Sequence, residues 1–144
     1  MAEVKGAPLN LVGVWRLESS YFVAQETGER RDIFGPQPFG YVIFEASGRM
    51  LALITPAGRT PPASPTEMAA LFRSMAAYTG RWAIDGEQFI TQVDGAWDPS
   101  WVGTDQVRYY TFDGQTLSLR TMLIDHPAFP GQKVIGYLDW HREA

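Results

Sequence analysis

Arg108 is the residue of this chain best placed to do chemistry. It lies in the segment Asp105–Phe112, where period-two geometry sets Gln106, Arg108, Tyr110 and Phe112 on one face and Val107, Tyr109 and Thr111 on the other. Both faces mix polar and apolar residues, so hydrophobicity leaves open which one turns inward. If the first set points in, a guanidinium and an amide enter an aromatic interior, and a buried charge needs a partner or a ligand. An inward Arg108 would grip a carboxylate or an enolate through two parallel hydrogen bonds. The alternatives are an outward Arg108 lying along the surface, or an inward one paired with Asp105 or Glu18.

Other reactive types give less. His126 sits beside Pro127 in a loop and His141 in the last strand, and neither has a second ligand at metal-binding spacing. Both read as ordinary loop or surface histidines. No serine occupies a G-x-S-x-G elbow and no glycine-rich phosphate loop follows a strand. Asp94 and Asp98 read as solvated carboxylates near a turn. No metal or cofactor is implied. Tyr78, Trp97 and Trp101 join Gln106, Arg108 and Tyr110 as candidate ligand contacts.

The elements that must position these residues are mostly strands. The chain has 144 residues, net charge −4, no Cys and five Trp, with aromatics at 13%. One domain over 1–144 is expected, large enough to hide roughly 70% of its unfolded surface. The missing cysteines exclude disulfides and thiolate metal sites. The charge balance, without a basic cluster, argues against nucleic acid. No apolar run approaches the ~20 residues of a membrane span. The first residues lack a signal-peptide core, so a cytoplasmic protein is expected.

Residues 1–10 read as a loose arm. Leu11–Val23 alternates as a long strand, with Trp15, Leu17, Ser19 and Tyr21 on one face. Gly13 two residues before Trp15 suits a strand that plugs the end of a barrel, since glycine allows close approach and tryptophan carries a large apolar payload. Strands follow at Gly40–Ala46 and Arg49–Thr55. Ser64, Pro65 and Glu67 then open a helix over about 65–79, with Gly80 as its break. Its stripe of Met68, Leu71, Phe72 and Met75 is expected to cross one open barrel end, as packing or as a movable lid. Asp85-Gly86 and Asp113-Gly114 mark hairpins between later strands. In the last strand, Lys133–Arg142, the set Val134, Gly136, Leu138 and Trp140 should face in. About eight short strands in sequential hairpins with one inserted helix favour an all-β antiparallel barrel or sandwich.

Gly13-x-Trp15 on the first strand resembles the signature of lipocalins and the wider calycin barrels, whose usual companion is an arginine near the end of the last strand; here Arg142 matches it. The segments Leu11–Leu17, Phe39–Phe44 and Trp101–Arg108 are similar to the bacterial lipocalin-like domain family over nearly the whole chain. The resemblance implies a single antiparallel up-and-down β-barrel with an internal cavity, and Arg142 stacked over Trp15 as a closing device. It implies no settled activity. Related small barrels act as cyclases or isomerases on hydrophobic biosynthetic intermediates. The absent cysteines and the mid-chain helix depart from secreted lipocalins, so carriage of a circulating ligand is not carried over. Three functions stand open: binding of a small hydrophobic molecule in the barrel, a cyclase or isomerase, and a structural or interaction module, with a homodimer as one form.

Overall fold

Eight antiparallel strands can bury their apolar faces by splitting into two packed sheets or by closing into a barrel, and here the sheet closes. A computed structural model describes residues 9–143 of the chain. After a 3-10 turn at Leu9–Leu11 come β1 (Gly13–Ala24), β2 (Arg30–Arg31), β3 (Pro38–Phe44), β4 (Arg49–Pro56) and α1 (Pro65–Arg73). Then follow β5 (Ala76–Asp85), β6 (Gln88–Ala96), a 3-10 turn at Pro99–Trp101, β7 (Asp105–Phe112), β8 (Thr116–Arg120), β9 (Ile124–Asp125) and β10 (Lys133–Arg142). The strands β1, β3, β4, β5, β6, β7, β8 and β10 pair antiparallel in that order, and a β1–β10 pairing shuts the ring into an eight-stranded barrel. The two-residue strands β2 and β9 extend the edges of β1 and β10. Residues 1–8, most of the expected loose arm, lie outside the described residues.

One end of the barrel is packed solid. Phe44 lies 4.8 Å from Trp82 and 5.2 Å from Phe89, ring centre to ring centre. Trp15 is fully buried and meets Phe112 edge-on at 5.8 Å. Its indole N–H donates to the Leu11 carbonyl at 3.0 Å. Arg142 covers the ring, with its guanidinium carbon 4.3 Å from the ring centre. That guanidinium donates to the carbonyls of Val12 (3.1 Å), Gly114 (3.3 Å) and Asn10. Gly13 has φ +137°, and a Cβ there would stand 3.2 Å from Arg142 Nη1. A larger residue would push the guanidinium off its carbonyls.

The other end is hollow, and two departures from simple alternation make it so. In β1 the pairing with β10 shifts between Leu17 and Ser19, a bulge that leaves Glu18 out of the register. A bulge reverses the facing of every residue beyond it. Ser20 and Ala24 are therefore buried within, while Tyr21 stacks on Tyr137 at 5.0 Å under the Arg30 guanidinium. The expectation that Ser19 and Tyr21 share the face of Trp15 is thus corrected.

The second departure is the helix. Ser64 caps it, accepting the Glu67 N–H at 3.1 Å, but it ends at Arg73 instead of near residue 79. Ala76 through Arg81 join the β4–β5 ladder, where Tyr78 opposes Ala52. Pairing along a whole strand outweighs one further helical turn. Gly80 lies inside β5 at a bulge against β6. A Cβ on it would come within 2.1 Å of the Gln92 carbonyl oxygen, so glycine serves close approach there and does not break the helix. No side chain of α1 is buried, and Met68 and Phe72 are 56% and 44% exposed. The stripe therefore covers the barrel end only in part: Phe72 tilts against Trp97 at 6.1 Å and Met75, beyond α1, lines the cavity, while Met68 faces solvent.

Candidate functional site

The inward face of β7 is the one carrying Gln106, Arg108, Tyr110 and Phe112, since Gln106 and Arg108 line the interior and Tyr110 and Phe112 pack on the core. Tyr109 lies outside, beneath the Arg120 guanidinium. Arg108 opens onto a cavity of about 400 Å³ at the hollow end. Tyr78 on β5 and Trp97 and Trp101 around the β6–β7 connection line the same space. Tyr110 packs against Phe89 at 6.4 Å, towards the solid end, and is not among the lining residues.

The aromatic wall is braced from behind. Trp97 and Trp101 meet edge-on at 4.9 Å, and Tyr78 tilts against Trp101 at 5.3 Å. The Trp97 indole N–H donates to the Phe72 carbonyl at 2.9 Å. This bond ties the last turn of α1 to the cavity wall. Asp98 accepts the Ser100 N–H at 3.0 Å and starts the 3-10 turn that carries Trp101. The rings are thus held by backbone as well as by each other, and rigid rings present contact area at little entropic cost.

Arg108 has no carboxylate partner among the described residues. Its Nη2 donates to Gln106 Oε1 at 2.8 Å and its Nη1 to the Val107 carbonyl at 2.9 Å. Glu18 faces His141 on the outside at 3.8 Å, and no ion pair joins Asp105 to Arg108. Burial lowers the pKa of Arg108, with only the Tyr78 phenol acting the other way. An arginine stays cationic regardless. Burial likewise raises the Tyr78 hydroxyl, against the pull of the Arg108 charge, so the phenol keeps its proton.

His126, Arg73 and Ser20 are lining groups that the reading of the sequence missed, whereas Gly136 faces in as expected. His126 stacks on Phe22 at 4.7 Å, and its Nδ1 accepts the Ala128 N–H at 3.1 Å. Burial depresses its pKa, and that hydrogen bond fixes a neutral ring with the proton on Nε2. Arg73, at the end of α1, and Ser20 also line the cavity, as does Gly136. A Cβ on Gly136 would lie 2.7 Å from Phe22 Cε1, so this glycine seats the Phe22 ring across the strand pair. Below Arg108 a void of about 20 Å³ reaches Trp140, whose buried indole N–H has no partner among the described residues.

The family model described as a lipocalin-like domain matches residues 12–143. The chain belongs to the lipocalin-like domain family. No match was found among curated proteins. The lipocalin-like barrel has a second, larger concavity of about 620 Å³, spread over the outside of β3 to β6 and lined by Tyr41, Ile43, Leu51 and Leu53 among others. It is wider and shares Tyr78 and Trp97 with the interior cavity, but among the described residues no charged side chain lines it, whereas Arg73 and Arg108 line the interior. Convergent polar groups in an apolar enclosure mark a binding site better than volume does. Among the described residues of this lipocalin-like chain, no helix is long and apolar enough to cross a membrane, and no cluster of three or more His, Cys, Asp or Glu could hold a metal ion.

Proposed function

We propose that this barrel binds a small, largely hydrophobic molecule inside the cavity at the end opposite Trp15. The observation that carries the reading is the enclosure itself. About 400 Å³ of space is walled by Tyr78, Trp97, Trp101 and a largely apolar surface, with Gln106, Arg108, Arg73 and His126 among the polar side chains that reach it. Sites for small ligands fall in the range of ~300–1,000 Å³ with this composition. The sealed end, where Trp15, Phe44 and Trp82 are buried, makes the barrel a cup and not a pore.

Acid–base chemistry is less well supported than binding. A cyclase or isomerase needs a group that takes a proton near neutral pH. Tyr78 is pushed towards keeping its proton, and the Nδ1 lone pair of His126 is already engaged by Ala128. Both act as donors.

Native mass spectrometry of protein purified without denaturant tests the reading. A non-covalent small-molecule adduct is expected, and Ser74→Trp, a half-buried rim position of the cavity, should abolish it while the fold persists. An empty wild-type barrel that also fails to take up naphthalene derivatives would overturn the proposal.

A further inference from the structure

We propose that the ligand is an amphipathic anion: a flat apolar body ending in a carboxylate, gripped by Arg108. This deepens the preceding reading and rests on it. Three observations converge on a negative group.

The first is the state of Arg108. A guanidinium carries five N–H donors, and the hydrogen bonds to Gln106 and Val107 leave the remainder without acceptors among the described residues. Gln106 turns the fork and fixes its plane, which is the preparation that bidentate recognition of a carboxylate requires. The second is charge. The whole chain carries −4, yet the cavity is lined by Arg108 and Arg73 and by no Asp or Glu. The local field therefore has the opposite sign to that of the protein, and an enclosed cationic pocket concentrates anions. The third is hydrogen-bond sense. The Nδ1 of His126 is occupied, so its free N–H is a donor, and Tyr78 offers its phenolic proton. The one amide oxygen near Arg108, that of Gln106, is consumed by it. A ligand that supplies acceptors satisfies these groups together, whereas one that supplies donors meets only the phenolic oxygen of Tyr78.

The body follows from the walls. Trp97, Trp101 and Tyr78 present rigid rings to the cavity, and stacked or edge-on contacts suit planar carbon skeletons. At ~30 Å³ per water of liquid volume, 400 Å³ corresponds to about thirteen waters, the size of a bicyclic aromatic acid.

The test uses naphthoate and naphthamide, which share shape and atom count and differ in charge. Binding is read by calorimetry and by quenching of tryptophan fluorescence on the full chain. Naphthoate should bind about ten- to hundredfold more tightly, the range of one charge-assisted hydrogen-bonded pair. Arg108→Met should erase that preference, with the loss of affinity falling far more on naphthoate than on naphthamide, whose neutral carbonyl makes only the weaker hydrogen bond. This variant replaces an unpaired cation by an apolar chain of similar length. Arg108→Lys keeps the charge without the planar fork and should give an intermediate preference; it decides the matter if Arg108→Met fails to fold. Equal affinity of the two probes, or a preference that survives loss of the arginine, would overturn the anion assignment while leaving the cavity reading intact. Failure of both probes to bind overturns both.

Discussion

Replacing Arg142 by methionine should weaken the barrel severely without touching the cavity. The guanidinium donates to the carbonyls of Val12 at 3.1 Å, Gly114 at 3.3 Å and Asn10, which come from the N-terminal segment and the β7–β8 turn. It also caps the Trp15 ring at 4.3 Å. One side chain of β10 thus pins two further stretches of backbone at the β1–β10 closure, where Trp15 and Arg142 are register partners. A hydrogen bond from a charged donor contributes about 1.5–3 kcal/mol, and a cation over a ring about 0.5–2 kcal/mol. The bonds share one donor and their carbonyls turn partly to water when it is lost, so the terms do not add in full. A loss of about 3 kcal/mol is expected. For a domain of this size it lowers Tm by about 6–12 °C. Urea unfolding followed by tryptophan fluorescence measures it, with the midpoint falling at unchanged slope. Arg142→Lys should recover less than half, because a single ammonium cannot span the carbonyls. Naphthoate affinity of the folded fraction should stay within about twofold, since the cavity lies at the other end. A loss below about 1 kcal/mol, or full recovery by lysine, would refute the closure argument.

Other positions give sharper or milder outcomes. Gly80→Ala puts a Cβ 2.1 Å from the Gln92 carbonyl oxygen, which is backbone and cannot swing away, so a loss above about 3 kcal/mol or failure to fold is expected in thermal unfolding. Ser64→Ala removes the helix cap, a change of about 1 kcal/mol in the helix; as no α1 side chain is buried, amide exchange should quicken in α1 while global Tm barely moves. His126 has its pKa lowered by burial from 6.5. Its neutral form is the one the fold favours, so its stabilisation is present above pH 6.5 and is lost as the pH falls through the folded value. Urea stability measured from pH 7 to pH 5 should fall more in the wild type than in His126→Gln, and parallel curves would contradict this.

Local rules were legible in the sequence wherever one strand alone decides them. The Asp-Gly turns and the alternation of the C-terminal third place β7 at Asp105–Phe112 and β10 at Lys133–Arg142 as the pattern suggests. The inward set of β10, with Val134 and Trp140 buried, is also readable from period two. What failed depended on a neighbour. The β1 bulge exists because β10 pairs with both sides of it, and nothing in Leu17–Ser19 announces the slip. The helix lost its last turn because β4 offers a ladder to Ala76 and Tyr78. The facing of Arg108 was undecidable on β7 alone, since both faces are mixed. It is settled by the β6–β7 register, which pairs Arg108 with Phe89 of the barrel core, whereas Val107 pairs with Ile90, which is not part of that core cluster. His126 and Arg73 reach the cavity from a loop and a helix end, where sequence periodicity says nothing about direction.

Under the proposed function, ligand occupies the cup bounded by Trp97 and Trp101 and never reaches the packed end around Trp15 and Trp82. The five tryptophans give five indole N–H resonances in heteronuclear NMR, spread from one end of the barrel to the other. Titration with naphthoate should shift Trp97 and Trp101, and Trp140 beneath Arg108, to saturation with a common Kd, while Trp15 and Trp82 stay in place. Shifts confined to Trp15 and Trp82, or none at Trp97 and Trp101 under saturating ligand, would contradict it.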